Sequence, residues 1–296
     1  MKVAVCKYAV GQPADFEAFA DRQQRLLEEA AARGARLAVL PEYLSLELAA
    51  VFPAAVRGDL HASLQAIQPL RARWLALFAG LARATGMHVL AGSFLLATAE
   101  GRYRNRSDLF APDGGHAWQD KLQLTGFEKA TGVIEGGDAL KVAGIGDVRA
   151  GISVCYDSEF PLPVRAQYEA GARLLLVPSC TDTAAGATRV QVGCLARALE
   201  NRMFVAQAVT AGRAAWSPAL DENTGEATLY APMDRGFPDD GILARTRGDE
   251  AWAVAELDFA LLEGTRGRAQ VANDRDWRGQ QSPALARARV VEFTPP

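Results

Sequence analysis

The sequence of 296 residues lacks several patterns that would place it in a familiar class of protein. It has no apolar run near the roughly 20 residues that a transmembrane helix needs. No GxGxxG follows a predicted strand, which disfavours a dinucleotide-binding dehydrogenase. The formal net charge is only −3, so the composition favours neither nucleic acid nor an anionic membrane as a partner. Linkers, low-complexity segments and repeats of fixed period are also missing.

Cysteine and histidine are scarce, and their spacing argues against disulfides and metal sites. The three histidines show no metal-ligand spacing, so no metal is expected. The four cysteines lie far apart without a CxxC pair and are expected to be free thiols: Cys6, Cys155, Cys180 and Cys194. The first segment, MKVAVCKYAV, alternates like a strand and lacks the apolar region and cleavage site of a signal peptide. A cytoplasmic location is therefore expected.

Apolar runs and amphipathic stretches alternate with short links, which predicts a single α/β domain. Strands are predicted at 2–8, 36–40, 88–95, 103–110, 116–121, 148–154, 173–177, 203–210, 228–230 and 252–257. Helices are predicted at 13–33, 69–85, 161–171 and 187–201. Residues 51–68 show no clear period, and residues 125–138 are interpreted as a glycine-rich loop. The arginine-rich end also lacks a period, so we predict a domain at 1–262 and a tail at 263–296 that wraps the domain or a partner subunit.

The stretch AGISVCYDSEFP, residues 150–161, indicates chemistry at the end of a strand. Its apolar run predicts a buried strand, and Cys155 stands where that strand gives way to a turn. Open α/β sheets bind ligands at this end of their strands, and N–H groups of the turn can face what the sulfur attacks. A buried cysteine is nevertheless usually an inert packing residue. Taken alone, this stretch therefore favours the structural interpretation.

Two more ionisable side chains fall at the ends of predicted strands, Glu42 and Lys121. A carboxylate can take the proton of a thiol. An ammonium can stabilise the oxyanion of a tetrahedral intermediate, together with the N–H that follows the cysteine. With Cys155 these groups would support acyl transfer through a thioester. Taken singly, Glu42 is better explained as a turn or helix-start residue, and Lys121 as an edge-strand lysine that discourages pairing of sheets.

Three motifs together resemble the nitrilase superfamily of carbon–nitrogen hydrolases. They are LAVLPEY with Glu42, DKLQLTGFE with Lys121 and Glu128, and AGISVCYDSEFP with Cys155. Their order and approximate spacing are similar to those of that family's Glu–Lys–Cys triad. The stretch CLARALENRMFV is similar to the family's Arg-Ala-x-Glu-Asn segment. The resemblance extends over roughly residues 1–258.

The resemblance implies an α-β-β-α sandwich, two sheets face to face with helices outside. It implies Glu42 as general base, Lys121 as oxyanion stabiliser and Cys155 as nucleophile. Glu128 would orient the substrate and the lysine, and the N–H of Tyr156 would complete the oxyanion hole. The implied reaction is hydrolysis of a small-molecule amide to a carboxylate and ammonia or an amine. No metal or organic cofactor is implied, and a homodimer or higher homo-oligomer is expected.

The residues after the cysteine, Tyr156 and Asp157, differ from the Cys-Trp-Glu typical of true nitrilases. They resemble the amidase-type branches, so an amide is favoured over a nitrile as substrate. Residues 178–201 look most like a branch often fused to an N-acetyltransferase domain. Three other functions stay open: nitrile hydrolysis by the same triad, acyl transfer to an amine by the same triad, and a catalytically silent binding protein of the same fold.

The substrate pocket is expected to border the loop after the strand RLLLV. Thr181 and Asp182 are candidates to line it, and Arg189 could meet a substrate carboxylate. Asp182 is equally well explained as a helix-cap or turn residue, whereas Arg189 is slightly better explained as a surface or subunit-contact residue. Cys180 also borders this loop, but Cys180 and Cys194 are better explained as packing thiols.

Overall fold

The central strands of the fold are short and apolar because both of their faces are covered, as is usual for parallel strands. The computed structural model describes residues 1–291. Within them, the strands Leu37–Leu40 and Leu174–Ser179 are buried along their whole length. The runs LAVL and RLLLV therefore form the interior strands that the sequence predicted.

The described residues form strands joined by helices and short 3-10 segments. The strands are β1 (Lys2–Ala9), β2 (Leu37–Leu40), β3 (His88–Ala97), β4 (Tyr103–Phe110), β5 (His116–Asp120), β6 (Ile134–Glu135), β7 (Val142–Ile145), β8 (Val148–Ile152), β9 (Leu174–Ser179), β10 (Phe204–Arg213), β11 (Glu222–Asn223), β12 (Thr228–Tyr230), β13 (Ile242–Arg245) and β14 (Trp252–Glu256). The α-helices are α1 (Phe16–Ala32), α2 (Ala54–Arg57), α3 (Leu60–Ile67), α4 (Arg71–Thr85), α5 (Gly126–Ala130), α6 (Pro161–Glu169), α7 (Ala184–Asn201), α8 (Phe259–Arg266) and α9 (Asn273–Asp276). The 3-10 helices are Leu44–Val51, Gln68–Leu70, Cys155–Glu159, Trp277–Gln281 and Pro283–Leu285.

Strand β1 joins two halves of one nearly closed sheet, whose order is β5-β4-β3-β2-β1-β10-β9-β8-β7. Its residues 3–5 pair in parallel with β2, and its residues 7–9 pair in parallel with β10. The pairs β2–β3, β10–β9 and β9–β8 are parallel as well. The carboxyl ends of β2, β8 and β9 therefore meet at the same edge of the fold, where ligands bind in open α/β sheets.

Alternate residues of β1 belong to two different cores, because successive side chains of a strand point to opposite faces. Val3 and Val5 lie in a core shared with the apolar residues of β9 and β10. Ala4 and Cys6 lie in a second core with residues of α1 and α4. Helices α6 and α7 pack on the half of the sheet that contains β8, β10 and β12. The layers therefore run helix, sheet, sheet, helix, which confirms the predicted α-β-β-α sandwich.

Two segments without a visible period contain helices. Residues 51–68 include α2 and α3, and α5 lies where a loop was predicted. The prediction of a loop at this position was wrong because Thr125 caps α5 in a capping box with Glu128.

Part of the predicted tail also folds. Helix α8 spans the predicted boundary between 262 and 263, and its Glu263 pairs with Arg173 at 2.8 Å. Tyr168 of α6 donates to Asp274 of α9 at 3.0 Å. These contacts attach residues 259–276 to the second half of the sandwich. Residues 292–296 of the predicted tail lie outside the described residues.

Candidate active site

Glu42 follows β2 at the edge where the parallel strands end, and its side chain is buried. Its backbone is fixed on both sides. Thr210 Oγ1 donates to the carbonyl of Glu42 at 2.8 Å, and the next N–H, that of Tyr43, donates to Ser93 Oγ at 2.8 Å. Tyr43 has a φ of 62°, in the left-handed region, so the chain turns sharply directly after Glu42. The carboxylate is thus held in one place by its backbone.

Lys121 follows β5, and its side chain is 1% exposed. Its N–H donates to the carbonyl of Asn105 at 2.9 Å, and its carbonyl accepts from the N–H of Gly137 at 2.7 Å. Its ammonium lies between two carboxylates, with Nζ 2.8 Å from Glu42 Oε1 and 2.8 Å from Glu128 Oε2. The fold therefore brings Glu42 into contact with a lysine that lies 79 positions further along the chain.

Glu128 is fixed by the start of α5. Its Oε2 accepts from the N–H of Thr125 at 2.9 Å, and Thr125 Oγ1 in turn accepts from the N–H of Glu128 at 3.2 Å. Its other oxygen, Oε1, accepts from the hydroxyl of Tyr43 at 2.8 Å. The capping box thus orients Glu128 towards Lys121 and starts a short helix at the same time.

The sequence analysis missed two polar residues of this cluster, Asn105 and Tyr43. Asn105 Nδ2 donates to Glu42 Oε1 at 2.8 Å and to Glu128 Oε1 at 3.3 Å. Both residues are buried. Asn105 bridges the two carboxylates, whereas the hydroxyl of Tyr43 binds only Glu128. The sequence signal for Tyr43 is only its place beside Glu42, and Asn105 stands in a strand without any distinguishing motif.

Cys155 opens the 3-10 helix that follows β8, and it is 4% exposed. Its φ of 50° is unusual for a residue other than glycine. Its Sγ donates to the carbonyl of Cys180, at the end of β9, at 3.6 Å, and its own carbonyl accepts from Ser158 Oγ at 2.7 Å. The thiol therefore lies at the edge predicted for it, between the ends of β8 and β9.

The charges of the cluster follow from burial and from mutual contact. Burial alone would lower the pKa of Lys121, but the carboxylates of Glu42 and Glu128 outweigh it and raise that pKa. Burial raises the pKa of Glu42, and Lys121 offsets this only in part. For Glu128, burial is outweighed by Lys121 and the hydrogen bonds of α5, so its pKa is lowered. Glu42 is therefore the more basic of the two carboxylates, and Lys121 is a cation.

The thiol of Cys155 is neutral at rest. Burial raises its pKa well above the ordinary value, and the negative charge of Glu42 adds to this effect, while Lys121 opposes it. Thiols are nucleophilic as thiolates, so a thiol in this state can act as a nucleophile only if a base takes its proton.

A pocket of about 300 Å³ opens above these groups. Glu42, Lys121 and Cys155 line it together with Tyr156, and the residues proposed from sequence lie on its wall: Thr181, Asp182 and Arg189. Thr181 Oγ1 donates to the carbonyl of Thr224 at 2.7 Å. The side chain of Arg189 is 62% exposed, and its Nε lies 3.9 Å from Glu159 Oε1. The pocket thus has charged walls of both signs.

The remaining cysteines differ in exposure. Cys6 and Cys194 are buried, whereas Cys180 is partly exposed and its Sγ lies 3.1 Å from Asn223 Oδ1. Residues 1–291 contain no group of three or more His, Cys, Asp or Glu side chains placed to hold a metal ion. In the same residues, no helix is both long and apolar enough to cross a membrane.

The layered fold and its sequence place the chain among hydrolases that act on carbon–nitrogen bonds. The family model described as "Carbon-nitrogen hydrolase" matches residues 2–258, and the chain belongs to this family. The resemblance drawn from the three motifs is therefore confirmed.

Individual relatives are distant. The chain is 27% identical over 279 residues to "Probable hydrolase YhcX" of Bacillus subtilis, covering 94% of this chain and 54% of that protein, so it spans about half the length of this relative. It is 23% identical over 269 residues to "Omega-amidase NIT2-A" of Xenopus laevis, covering 86% of this chain and 88% of that protein. The solved structure of Saccharomyces cerevisiae Nit3, a member of branch 10 of the nitrilase superfamily, is similar with a TM-score of 0.73 at 20% identity, covering 93% of this chain and 96% of that one. This last likeness shows the shared fold.

Proposed function

We propose that the chain is an amidase that cleaves a small-molecule amide through a cysteine thioester. The observation that carries the proposal is the buried contact of Glu42, Lys121 and Glu128 beside the pocket that also contains Cys155. A base, a cation and a thiol around one pocket are the groups that acyl transfer needs. The similarity to an omega-amidase supports an amide over a nitrile as substrate.

In the proposed first step, the sulfur of Cys155 attacks the amide carbon and its proton passes to Glu42. The negative charge that develops on the amide oxygen is stabilised by Lys121 Nζ and by the N–H of Tyr156. When the intermediate collapses, the carbon–nitrogen bond breaks and the leaving nitrogen takes the proton from Glu42. The products of this half-reaction are ammonia or an amine and an acyl thioester on Cys155.

In the proposed second step, water attacks the thioester carbon and gives a proton to Glu42. The carbon–sulfur bond breaks, the carboxylic acid leaves, and the thiol of Cys155 regains its proton. In this proposal Glu128 keeps Lys121 charged and oriented when Glu42 is protonated, because Glu128 Oε2 also lies 2.8 Å from Lys121 Nζ. Thr181, Asp182 and Arg189 would contact the part of the substrate that does not react.

Ammonia release from a panel of small amides and ω-amides tests this function. The wild-type chain should release ammonia from at least one of them, and Cys155→Ala should release none while keeping the circular dichroism spectrum of the wild type. Cys194→Ala is the matched control, because it also removes a buried thiol but lies outside the pocket residues. Full turnover by Cys155→Ala would contradict the assignment of the nucleophile.

A second measurement separates an enzyme from a silent binding protein of the same fold. Iodoacetamide should label Cys155 in preference to Cys6 near neutral pH, and Glu42→Gln should reduce that preference. Equal labelling of the two cysteines would favour the silent protein.

The expected homodimer is also a proposal. It is supported by exposed apolar side chains on α6 and α7, Leu162 and Val192, which are 68% and 58% exposed, and size-exclusion chromatography would test it.

A further inference from the structure

We propose that Asp157 is a positioning residue that ties the Cys155 turn to the loop carrying Lys121. This inference rests on the proposed function, since it concerns the same site. Asp157 touches neither the pocket nor the charged cluster directly, and the sequence analysis used it only to choose between amide and nitrile. Its contacts give it a separate role.

The carboxylate of Asp157 accepts hydrogen bonds from two segments of the chain. In the loop after β5, the N–H of Gln123 donates to it at 2.7 Å and the N–H of Leu122 donates to it at 3.1 Å. From its own turn it accepts the N–H of Val154 at 3.2 Å. Leu122 directly follows Lys121, and Val154 directly precedes Cys155. One buried side chain therefore fixes the backbone next to the cation and next to the thiol.

The turn needs this support because Cys155 has a φ of 50°, and left-handed backbone at a residue other than glycine is strained. Ser158 Oγ donates to the carbonyl of Cys155 at 2.7 Å, and Arg197 of α7 donates to the carbonyl of Ser158 at 3.1 Å. These bonds hold the turn to α7. The carboxylate of Asp157 connects the turn to the Lys121 loop, through the N–H groups of Leu122 and Gln123.

An ionised carboxylate suits this place because it can only accept hydrogen bonds, and the backbone N–H groups around it can only donate them. Burial raises the pKa of Asp157 to about 6, and Lys121 is the charged group that faces it. The side chain is therefore ionised at pH 8. Asparagine has nearly the same shape, but its amide nitrogen would face one of the N–H donors and could not accept a hydrogen bond from it. Asp157→Asn therefore breaks one side of the connection with little change in volume.

Steady-state kinetics of Asp157→Asn at pH 8 tests the proposal. A shift of about 1 Å in a catalytic group costs on the order of 100-fold in rate, so kcat should fall at least tenfold while KM changes less than about threefold. Iodoacetamide should also alkylate Cys155 at least about threefold more slowly, because the thiol no longer faces Glu42 and Lys121 in the productive geometry.

Asp108→Asn is the matched control for lost stability. Asp108 is 1% exposed and binds Arg71 through both oxygens at 2.6 and 2.8 Å, away from the pocket. The Asp108→Asn variant should have a lower melting temperature than the wild type, with an unchanged kcat and an unchanged alkylation rate of Cys155. If Asp157→Asn lowers only the melting temperature, as Asp108→Asn does, the positioning role is refuted. If the wild type hydrolyses no amide, the proposed function fails, and the alkylation rate of Cys155 alone then decides whether Asp157 positions the thiol.

Discussion

Replacing Lys121 by methionine is expected to destabilise the protein strongly. Its Nζ lies 2.8 Å from Glu42 Oε1 and 2.8 Å from Glu128 Oε2, and the three side chains are at most 1% exposed. Removing one partner of a buried ion pair costs about 3–5 kcal/mol, because the remaining charge has no compensation. Since 1 kcal/mol lowers the melting temperature of a large domain by about 2–4 °C, the expected loss near neutral pH is about 6–20 °C.

The loss of stability in Lys121→Met should increase as the pH rises. Without the cation, burial and mutual repulsion raise the folded-state pKa of one carboxyl, Glu42 or Glu128, above its unfolded value. Stability from such a group is fully present below the unfolded pKa and disappears as the pH rises through the folded pKa. The Lys121→Met variant should therefore approach the wild type near pH 5 and fall progressively below it towards pH 8.

Thermal melts followed by circular dichroism at several pH values measure this difference. Lys7→Met is the control, because Lys7 Nζ also lies close to a carboxylate, 2.6 Å from Glu226 Oε1, but the two side chains are 18% and 37% exposed. An ion pair of that exposure contributes about 1 kcal/mol at most. Equal losses in the two variants, or a loss in Lys121→Met that is the same at every pH, would refute the reasoning from burial.

Two further variants test separate parts of the molecule. Glu42→Gln should lower kcat for amide hydrolysis by about 10²–10⁴, the usual contribution of a general base, and a rate within a factor of two of the wild type would exclude Glu42 as that base. Thr183→Ala should lower the free energy of unfolding by about 1 kcal/mol, because Thr183 Oγ1 caps α7 by accepting from the N–H of Gly186 at 3.1 Å. Urea unfolding measures that loss, and an unchanged midpoint would show that the cap contributes nothing.

Much of the fold and the centre of the site could be predicted from the sequence for the same physical reason. A buried parallel strand is a short apolar run with a sharp end, and a reactive side chain at that end lies at the ligand-binding edge. Glu42 and Cys155 each stand just after such a run, whereas Lys121 follows β5, an antiparallel strand that is only partly buried. Their approach to one another depends on the order of strands in the sheet, which the sequence did not predict, and only the resemblance to the family implied that they meet.

The rest of the cluster could not be found in this way. Asn105 lies in the alternating strand YRNRSDLF, where an inward polar residue has no signature until its neighbours across the sheet are known. Tyr43 acts through its hydroxyl on a residue far along the chain, Glu128. One signal was present in the sequence and was not used. The stretch TGFE, residues 125–128, has the spacing of a capping box, which predicts both the short helix and the fixed position of Glu128.

The charge balance of the buried cluster explains why a neutral thiol suits the proposed reaction. With Lys121 protonated and Cys155 neutral, Glu42, Glu128 and Lys121 together carry one net negative charge, which resides on Glu42 as the more basic carboxylate. When Glu42 takes the thiol proton, that charge moves to the amide oxygen beside Lys121, and the total stays the same. A preformed thiolate would instead place a second anion beside Glu42 at rest, which burial and repulsion oppose. Because the proposed transfer creates no new charge among these buried groups, its electrostatic cost is confined to moving one charge across the contact between Glu42 and Lys121.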